Sequence, residues 1–198
     1  MLYTLITTTD GGYAATGEIR YSVSNTTARN GWFLKTDANG EAQVNRPFSM
    51  DGQTVFCSVA QTSDGGYFLV GATANSTGSP YAACIIKTDP DGHSLWFQIN
   101  QTLSPINKGS EFKLYSIGKT ASGKYFITGY LGGVGITVEE IKDNGQSLYI
   151  GSFGVSSQSL TDPIPGYIIA VETVQGGYAW VGYSGESIWL AETYWYTS

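Results

Sequence analysis

A motif that recurs four times constrains this chain more than any other feature. In each copy a glycine-rich turn leads into a tyrosine, and a glycine follows four positions later, giving Tyr13 and Gly17, Tyr67 and Gly71, Tyr125 and Gly129, and Tyr178 and Gly182. Successive tyrosines are 54, 58 and 53 residues apart. Self-similarity at a fixed period is the signature of repeat architectures. We therefore predict one domain, 1–198, built of four repeats at 1–53, 54–110, 111–166 and 167–198.

A second element divides each repeat into short strands. Lys-Thr-Asp-x-x-Gly begins at Lys35 and Lys87, and the third repeat has a degenerate form within 138–145. Asp-Gly and Asn-Gly pairs supply the backbone conformations that tight hairpins need. In the second repeat these turns predict four strands, at Val55–Gln61, Tyr67–Thr73, Ala83–Thr88 and Ser94–Ile99.

Four antiparallel strands in a unit of about 50 residues match one blade of a β-propeller. The fold class is therefore predicted as all-β, a propeller of four four-stranded antiparallel blades. The last blade lacks a clear outer strand, so 15 strands are predicted, and the chain starts directly with an innermost strand, Leu2 to Thr8. Two arrangements stay open, namely a small closed ring and part of a larger propeller.

The glycine column at Gly17, Gly71, Gly129 and Gly182 lies inside the second strand of each repeat. A glycine inside a strand weakens it, because it has no side chain to pack. Its recurrence predicts close approach of adjacent blades, or a β-bulge.

Composition excludes several classes of function. The net charge is −6 and the ten Lys and Arg residues are scattered singly, so nucleic acid and membrane insertion are poor expectations. No apolar run is long enough to span a bilayer. The start, MLYTLITTTDGG, does not read as a signal peptide. With a single histidine and two cysteines, we expect no zinc site, other metal site or cofactor.

Two stretches, QTSDGGYFLVG at 61–71 and CIIKTDPDGHSLW at 84–96, resemble a group of archaeal and bacterial surface proteins with propeller repeats. That resemblance implies an extracellular or cell-surface location, within a longer chain. The spacing from Asp89 to Gly92 and Trp96 is also similar to the tryptophan-docking repeat of quinoprotein dehydrogenases, but no quinone or metal site accompanies it. A likeness to the Asp-box of sialidases has the wrong Asp-to-Gly spacing.

One polar column is the best candidate for ligand binding. Thr7, Gln61, Lys119 and Glu172 occupy the same position near the end of the innermost strand. In a propeller that strand lines the central channel, so Gln61, Lys119 and Glu172 are predicted at the channel mouth. A contact between Lys119 and Glu172 is expected to be a structural ion pair.

Three sequons, at Asn25, Asn75 and Asn100, fit the N-glycosylation pattern. Asn25 and Asn75 fall at equivalent places, which we predict to be the loop between the second and third strands. Glycans there would agree with a surface location.

The remaining reactive residues give no catalytic constellation. Cys57 and Cys84 are predicted one strand apart, too far for a disulfide, and therefore as two free buried thiols. His93 follows a turn glycine and is expected to be solvated. Asp89 and Asp91 are interpreted as turn formers rather than calcium ligands. Glu139 and Glu140 are adjacent on a strand, so they point to opposite faces.

Aromatic residues crowd the end of the chain. Trp189, Tyr194, Trp195 and Tyr196 lie where a further blade would be expected. They suggest packing on a missing blade, or self-association through the C-terminal blade.

Three functions follow as hypotheses. The first is a non-enzymatic binding or scaffolding propeller at the cell surface, with protein or surface-glycan partners and no catalytic residues. The second is a polysaccharide hydrolase or lyase that uses carboxylates in the channel. The third is a truncated fragment without independent function, which predicts exposed apolar blade surface.

Overall fold

The computed structural model describes residues 1–23, 26–50, 52–75, 82–100, 112–131, 135–153, 167–174, 177–184 and 187–193. Their regular structure is entirely β. Fifteen strands occur among them, in chain order β1 (Leu2–Thr7), β2 (Tyr13–Val23), β3 (Thr26–Thr36), β4 (Ala42–Phe48), β5 (Gly52–Gln61), β6 (Tyr67–Asn75), β7 (Ala82–Thr88), β8 (Ser94–Asn100), β9 (Phe112–Lys119), β10 (Tyr125–Leu131), β11 (Gly135–Ile141), β12 (Ser147–Phe153), β13 (Tyr167–Glu172), β14 (Tyr178–Ser184) and β15 (Ser187–Thr193).

These strands form four antiparallel sheets, which we call blades 1 to 4. Blades 1, 2 and 3 each contain four strands in sequential order, and the described part of blade 4 contains three, β13 to β15. The strands match the predicted pattern, with ends that differ by up to three residues. For example, β5 begins at Gly52, inside the first predicted repeat. No described residue lies in a helix long and apolar enough to cross a membrane.

The blades stack face to face through three apolar clusters. One joins blades 1 and 2, the next joins blades 2 and 3, and the last joins blades 3 and 4. The first strands of successive blades, β1, β5, β9 and β13, contact one another and form the inner side of the stack. Each interior blade therefore buries both of its faces, which a single sheet cannot do alone.

The repeat tyrosine is the anchor of each blade interface. Tyr67, Tyr125 and Tyr178 are each almost fully buried against an aromatic ring of the preceding blade. The ring centroids are 5.1 Å apart for Phe68 and Tyr125 and 4.9 Å apart for Phe126 and Tyr178. Tilted and edge-to-face pairs at such distances add to the burial energy.

Blade 1 supplies its ring from a different strand. The position of Phe68 and Phe126, directly after the repeat tyrosine, is Ala14 in blade 1. Phe33 on β3 fills the space instead, with its centroid 4.9 Å from that of Tyr67. The interface keeps its volume because a small residue on one strand is matched by a large residue on the next.

The glycine column is explained by a β-bulge, as predicted. The first strand gains one residue opposite Gly17, Gly71 and Gly129, so Tyr3, Cys57 and Tyr115 have no directly opposed partner. A Cβ on Gly17 would overlap the carbonyl oxygen of Met1, and one on Gly71 would overlap that of Val55. Blade 4 pairs without a bulge at this point.

We predict that Gly71→Ala destabilises the protein by at least about 3 kcal/mol, because the new methyl group must displace backbone rather than a side chain. Gly123→Ala is the matched control. Gly123 has a φ of 83° but open space around its missing Cβ, so its substitution should cost only about 1–2 kcal/mol. Urea unfolding measures both, and equal losses would contradict the bulge explanation.

Candidate functional site

The predicted channel-mouth residues are found at equivalent positions. Thr7, Gln61, Lys119 and Glu172 each end the first strand of a blade and lie opposite its repeat tyrosine. Two of them link one blade to the blade before it. Gln61 Oε1 accepts a hydrogen bond from the Thr9 N–H at 2.8 Å, and Glu172 Oε2 accepts one from the Ala121 N–H at 2.6 Å.

Lys119 cannot accept a hydrogen bond, and the interface between blades 2 and 3 uses a different link. Its ammonium lies 5.7 Å from the centroid of the Tyr125 ring. Ser63, in the turn of blade 2, instead donates to the carboxylate of Asp143 in blade 3. The expected Lys119–Glu172 ion pair is not among the ion pairs that join described residues. Ligand binding at this mouth stays a prediction.

A second set of charges secures the hairpin turn before each repeat tyrosine. Lys35 Nζ lies 2.7 Å from Asp10 Oδ2 in blade 1, and Lys87 Nζ lies 2.7 Å from Asp64 Oδ1 in blade 2. Lys87 is nearly inaccessible to solvent. Burial of Asp64 by itself would raise the pKa of its carboxyl, but hydrogen bonds from Lys87, Thr62 and the Gly66 N–H outweigh that effect and lower the pKa to about 2.

In blade 3 the two charges are exchanged. Ser122 replaces the turn aspartate, Glu140 replaces the lysine of the third strand, and Lys124 replaces a glycine. Lys124 Nζ and Glu140 Oε2 are 3.4 Å apart. Glu140 Oε1 also accepts a hydrogen bond from the Tyr178 hydroxyl at 2.6 Å, which joins blade 3 to blade 4. Burial, together with this hydrogen bond, raises the pKa of Tyr178.

Glu139, the neighbour of Glu140, is buried on β11, and burial raises the pKa of its carboxyl. The two glutamates lie at adjacent strand positions, so they point to opposite faces, as predicted. They do not form an acid and base pair.

The turn at 89–93 brings together the only histidine and two aspartates. Ligand atoms of Asp89, Asp91 and His93 lie within 4.8 Å of one another. Asp89 accepts a hydrogen bond from the His93 N–H at 2.8 Å, and its other oxygen lies 3.1 Å from His93 Nδ1. His93 is exposed, as expected. These contacts of Asp89 close the turn, which is the role predicted for it.

Both cysteines are free thiols, as predicted, but only Cys84 is buried and Cys57 is partly buried. Burial raises the pKa of Cys57 to about 12 and raises that of Cys84 as well. Neither thiol is therefore a nucleophile at neutral pH.

The sequons and the terminal aromatic residues are only partly described. Asn25 lies outside the described residues. Asn75 is the last residue of β6 and Asn100 the last of β8, so Asn75 ends a strand rather than lying in the predicted loop. Trp189 is on β15, opposite Gly182, whereas Tyr194, Trp195 and Tyr196 lie outside the described residues.

The structure reveals a polar cluster that the sequence analysis missed. The side chain of Glu18, on β2, is fully buried. Its Oε1 accepts a hydrogen bond from the Tyr3 hydroxyl at 2.9 Å and pairs with the guanidinium of Arg20. Arg29 Nη1 lies 3.6 Å from Glu18 Oε2. Tyr3 is the bulged residue of β1, so the bulge is what aims its hydroxyl at the carboxylate.

This cluster lies near the start of the first strands. Thr4 Oγ1 donates to the Cys57 carbonyl at 2.5 Å across the interface of blades 1 and 2. Glu18 and Lys113, which is on β9 of blade 3, both lie close enough to Cys57 to affect the pKa of its thiol in opposite senses. A comparison of the repeats could have singled out Glu18. The equivalent residues in the other repeats, Ala72, Tyr130 and Tyr183, carry no charge.

Arg20 also lines an open groove of about 570 Å³. The other lining residues are Met1, Ile19, Trp32 and Asn45. Trp32 Nε1 donates to Asn45 Oδ1 at 2.8 Å, which fixes the orientation of the indole ring. The groove therefore combines an aromatic surface and an amide on one face of blade 1. Arg20 lies at its edge, and its guanidinium pairs with the buried Glu18 on the other face. The volume of the groove falls within the roughly 300–1,000 Å³ typical of ligand pockets.

No family model matches this chain, and no curated protein sequence does. A search of solved structures finds an endo-arabinase from Bacteroides thetaiotaomicron VPI-5482, with a TM-score of 0.55 and 12 % sequence identity. The match covers 98 % of this chain and 74 % of that one. At this identity the likeness concerns the fold alone, and it supports a propeller-like arrangement of the four antiparallel sheets.

Replacing Glu172 tests the link between blades 3 and 4. Glu172→Gln should leave the melting temperature unchanged, because Gln61 makes the equivalent contact with an amide oxygen. Glu172→Leu should lower stability by about 1 kcal/mol through loss of the acceptor. Thermal unfolding followed by circular dichroism distinguishes them, and an equal loss in both variants would show that the charge matters rather than the acceptor.

The Asp64–Lys87 pair should make stability depend on pH. Because the pKa of Asp64 is lower in the folded protein, its contribution is present above about pH 4 and is lost as the pH falls towards 2. Asp64→Asn should therefore lower the melting temperature by about 2–4 °C at pH 6. The difference from wild type should vanish near pH 2, and a difference that is constant from pH 6 to pH 2 would contradict the proposed pairing.

Proposed function

We propose that this protein is a cell-surface binding propeller that engages polysaccharide. The observation that carries the proposal is the groove on blade 1, which Trp32, Asn45 and Arg20 line. An indole ring offers an apolar surface with a polar edge, and amide and guanidinium groups supply hydrogen-bond donors for hydroxyl and carboxylate oxygens. A chain of sugar rings presents both kinds of surface.

The buried carboxylate prepares the groove for binding. Glu18 holds Arg20 while about half of the Arg20 side chain remains exposed to solvent. A guanidinium that is already oriented loses less conformational entropy when a ligand arrives. Arg29 and Lys113 add positive charge nearby, in a chain whose net charge is −6. This local charge favours an acidic polysaccharide over a neutral one.

Several described carboxylates are held in structural contacts, which favours binding over hydrolysis. Glycoside hydrolysis ordinarily uses two carboxyl groups roughly 5–9.5 Å apart across the sugar bond. Among the described residues, Glu18 is the single carboxylate of the polar cluster on blade 1, and it pairs with Arg20 and Arg29. Asp10, Asp64 and Glu140 hold lysines, Asp89 and Asp143 hold turn residues, and Glu172 links two blades.

A polysaccharide hydrolase is the second candidate, favoured by one specific observation. The solved structure with a similar fold is named as an endo-arabinase. In that case Glu18 would be the first carboxylate to test. Glu139 has the raised pKa that suits a general acid, but it lies on β11 of blade 3, outside the cluster.

Binding to soluble polygalacturonan and to arabinan tests the proposal. Calorimetry should detect the acidic polymer, and Arg20→Gln and Trp32→Ala should each weaken its affinity at least about tenfold, equivalent to about 1.4 kcal/mol. Phe97→Ala is the control, since Phe97 is a well-exposed aromatic residue on β8. The Phe97→Ala variant should bind the acidic polymer with the affinity of wild type.

Three results would change the conclusion. Release of reducing ends from either polymer, abolished by Glu18→Gln, would favour the hydrolase. An equal loss of affinity in Phe97→Ala would mean non-specific contact. A folded wild-type protein that binds neither polymer would contradict the proposal.

A further inference from the structure

The two end blades each leave one apolar face uncovered. Exposed large apolar side chains are concentrated there, among them Leu5, Tyr13 and Tyr21 on blade 1 and Ile169, Val171 and Val181 on blade 4. Contiguous apolar patches are uncommon on soluble proteins and mark interaction surfaces. We call these the front face of blade 1 and the back face of blade 4.

Comparison between repeats identifies what the front face lacks. Tyr13 is 38 % exposed, while the equivalent Tyr67, Tyr125 and Tyr178 are 0 %, 0 % and 2 % exposed. Leu5 is 63 % exposed, while the equivalent Val59, Ile117 and Ala170 are 1 %, 7 % and 7 % exposed. The buried members of each set are covered by the blade that precedes them in the chain. Blade 1 carries the same contact residues, and no sheet of the described part of the chain lies against them. Trp32 and Asn45, which line the groove, lie on this same face because they are opposite Gly17 and Leu34. A sheet docked here would therefore form one side of the groove.

The back face of blade 4 shows the complementary deficit. Val181 is 40 % exposed, while the equivalent Thr16, Val70 and Thr128 are completely buried. Val171 is 57 % exposed, while the equivalent Ala60 is 7 % exposed and packs against blade 3. Val70 and Ala60 pack in the cluster shared with blade 3, the blade that follows them. The two faces are thus the two halves of an interface that the chain already makes three times.

The polar links between blades have counterparts at the same two faces. Val174 occupies the turn position of Thr9 and Ala121, whose N–H groups donate to the next blade. Its side chain is completely exposed. At the other end, the exposed Thr7 occupies the accepting position of Gln61 and Glu172. A sheet placed between blades 4 and 1 could accept a hydrogen bond from the Val174 N–H of blade 4. It could also donate a hydrogen bond to Thr7 of blade 1.

We propose that these two faces are the docking surface for a fifth blade of the same repeat type, continuous with the other four. The three internal interfaces supply the precedent, because each is made by blades consecutive in the chain. The size also fits. The solved endo-arabinase matches 98 % of this chain and leaves about a quarter of its own length unmatched, which is roughly one repeat.

Extension of the full chain by a copy of its own second blade, 52–100, through a flexible Gly/Ser linker tests the proposal. The extended protein should melt about 5–10 °C higher than the 198-residue chain. Amide hydrogen exchange in β1 and in 13–22 should slow at least about tenfold, because the added sheet covers them.

Two substitutions in the original part of the extended chain separate docking from a general effect. Leu5→Glu should abolish the rise in melting temperature and the protection. Leu95→Glu, at an equally exposed apolar residue on β8 (59 %), should leave both intact. Without the extension, neither substitution should change the melting temperature by more than about 2 °C, since both side chains are already exposed.

Light scattering supplies the remaining control. The proposal is supported if the 198-residue chain is monomeric and the extended protein shows the higher melting temperature and the slower hydrogen exchange. Absence of added stability or protection in the extended protein would overturn the proposal. A dimer of the unextended chain that Leu5→Glu dissociates would also overturn it, because a second copy would then occupy the faces.

Discussion

The structure depends on one constraint, which is that each blade is a thin sheet with two apolar faces. Such a sheet can bury both faces only between two others. Blades 2 and 3 satisfy the requirement, and their strands are apolar on both sides, as in β7, where Ala83, Cys84, Ile85 and Ile86 are all buried. The tyrosine after the first hairpin meets the preceding blade at each interface, so the strongest sequence signal is also the main packing contact.

Within this frame the repeats preserve interactions rather than residues. The ring that receives the repeat tyrosine comes from β6 or β10 in two interfaces and from β3 in the other. The hairpin charge pair has its aspartate on the turn in blades 1 and 2, whereas in blade 3 the lysine is on the turn and the carboxylate on the strand. Each repeat therefore keeps a ring in the interface and a charge pair at the hairpin, although the residues that supply them change position. For this reason the third repeat looks degenerate in sequence.

The predictions that succeeded depend on local information. Strand positions follow from turn residues and from the repeat period, so β5 to β8 agree with expectation to within three residues. The bulge opposite Gly17 and Gly71 was one of two readings of a strand glycine. Gln61, Lys119 and Glu172 do share one strand position, but the partners of Gln61 and Glu172 in the preceding turn depend on how blades stack. Glu18 was missed because an isolated glutamate on a strand reads as solvent-exposed, and its burial depends on Tyr3, Arg20 and Arg29.

The exchanged charges of blade 3 bear on how the repeats can evolve. A hairpin turn from blade 2, placed into blade 3 by unequal crossing-over, would set an aspartate beside Glu140 and remove Lys124. The reverse exchange would set Lys124 beside Lys87. Crossovers within a repeat therefore break matched charges, whereas crossovers between whole repeats preserve them. Such a barrier protects each copy from being homogenised by its neighbours, and the copies can then drift apart in sequence while their shared backbone persists.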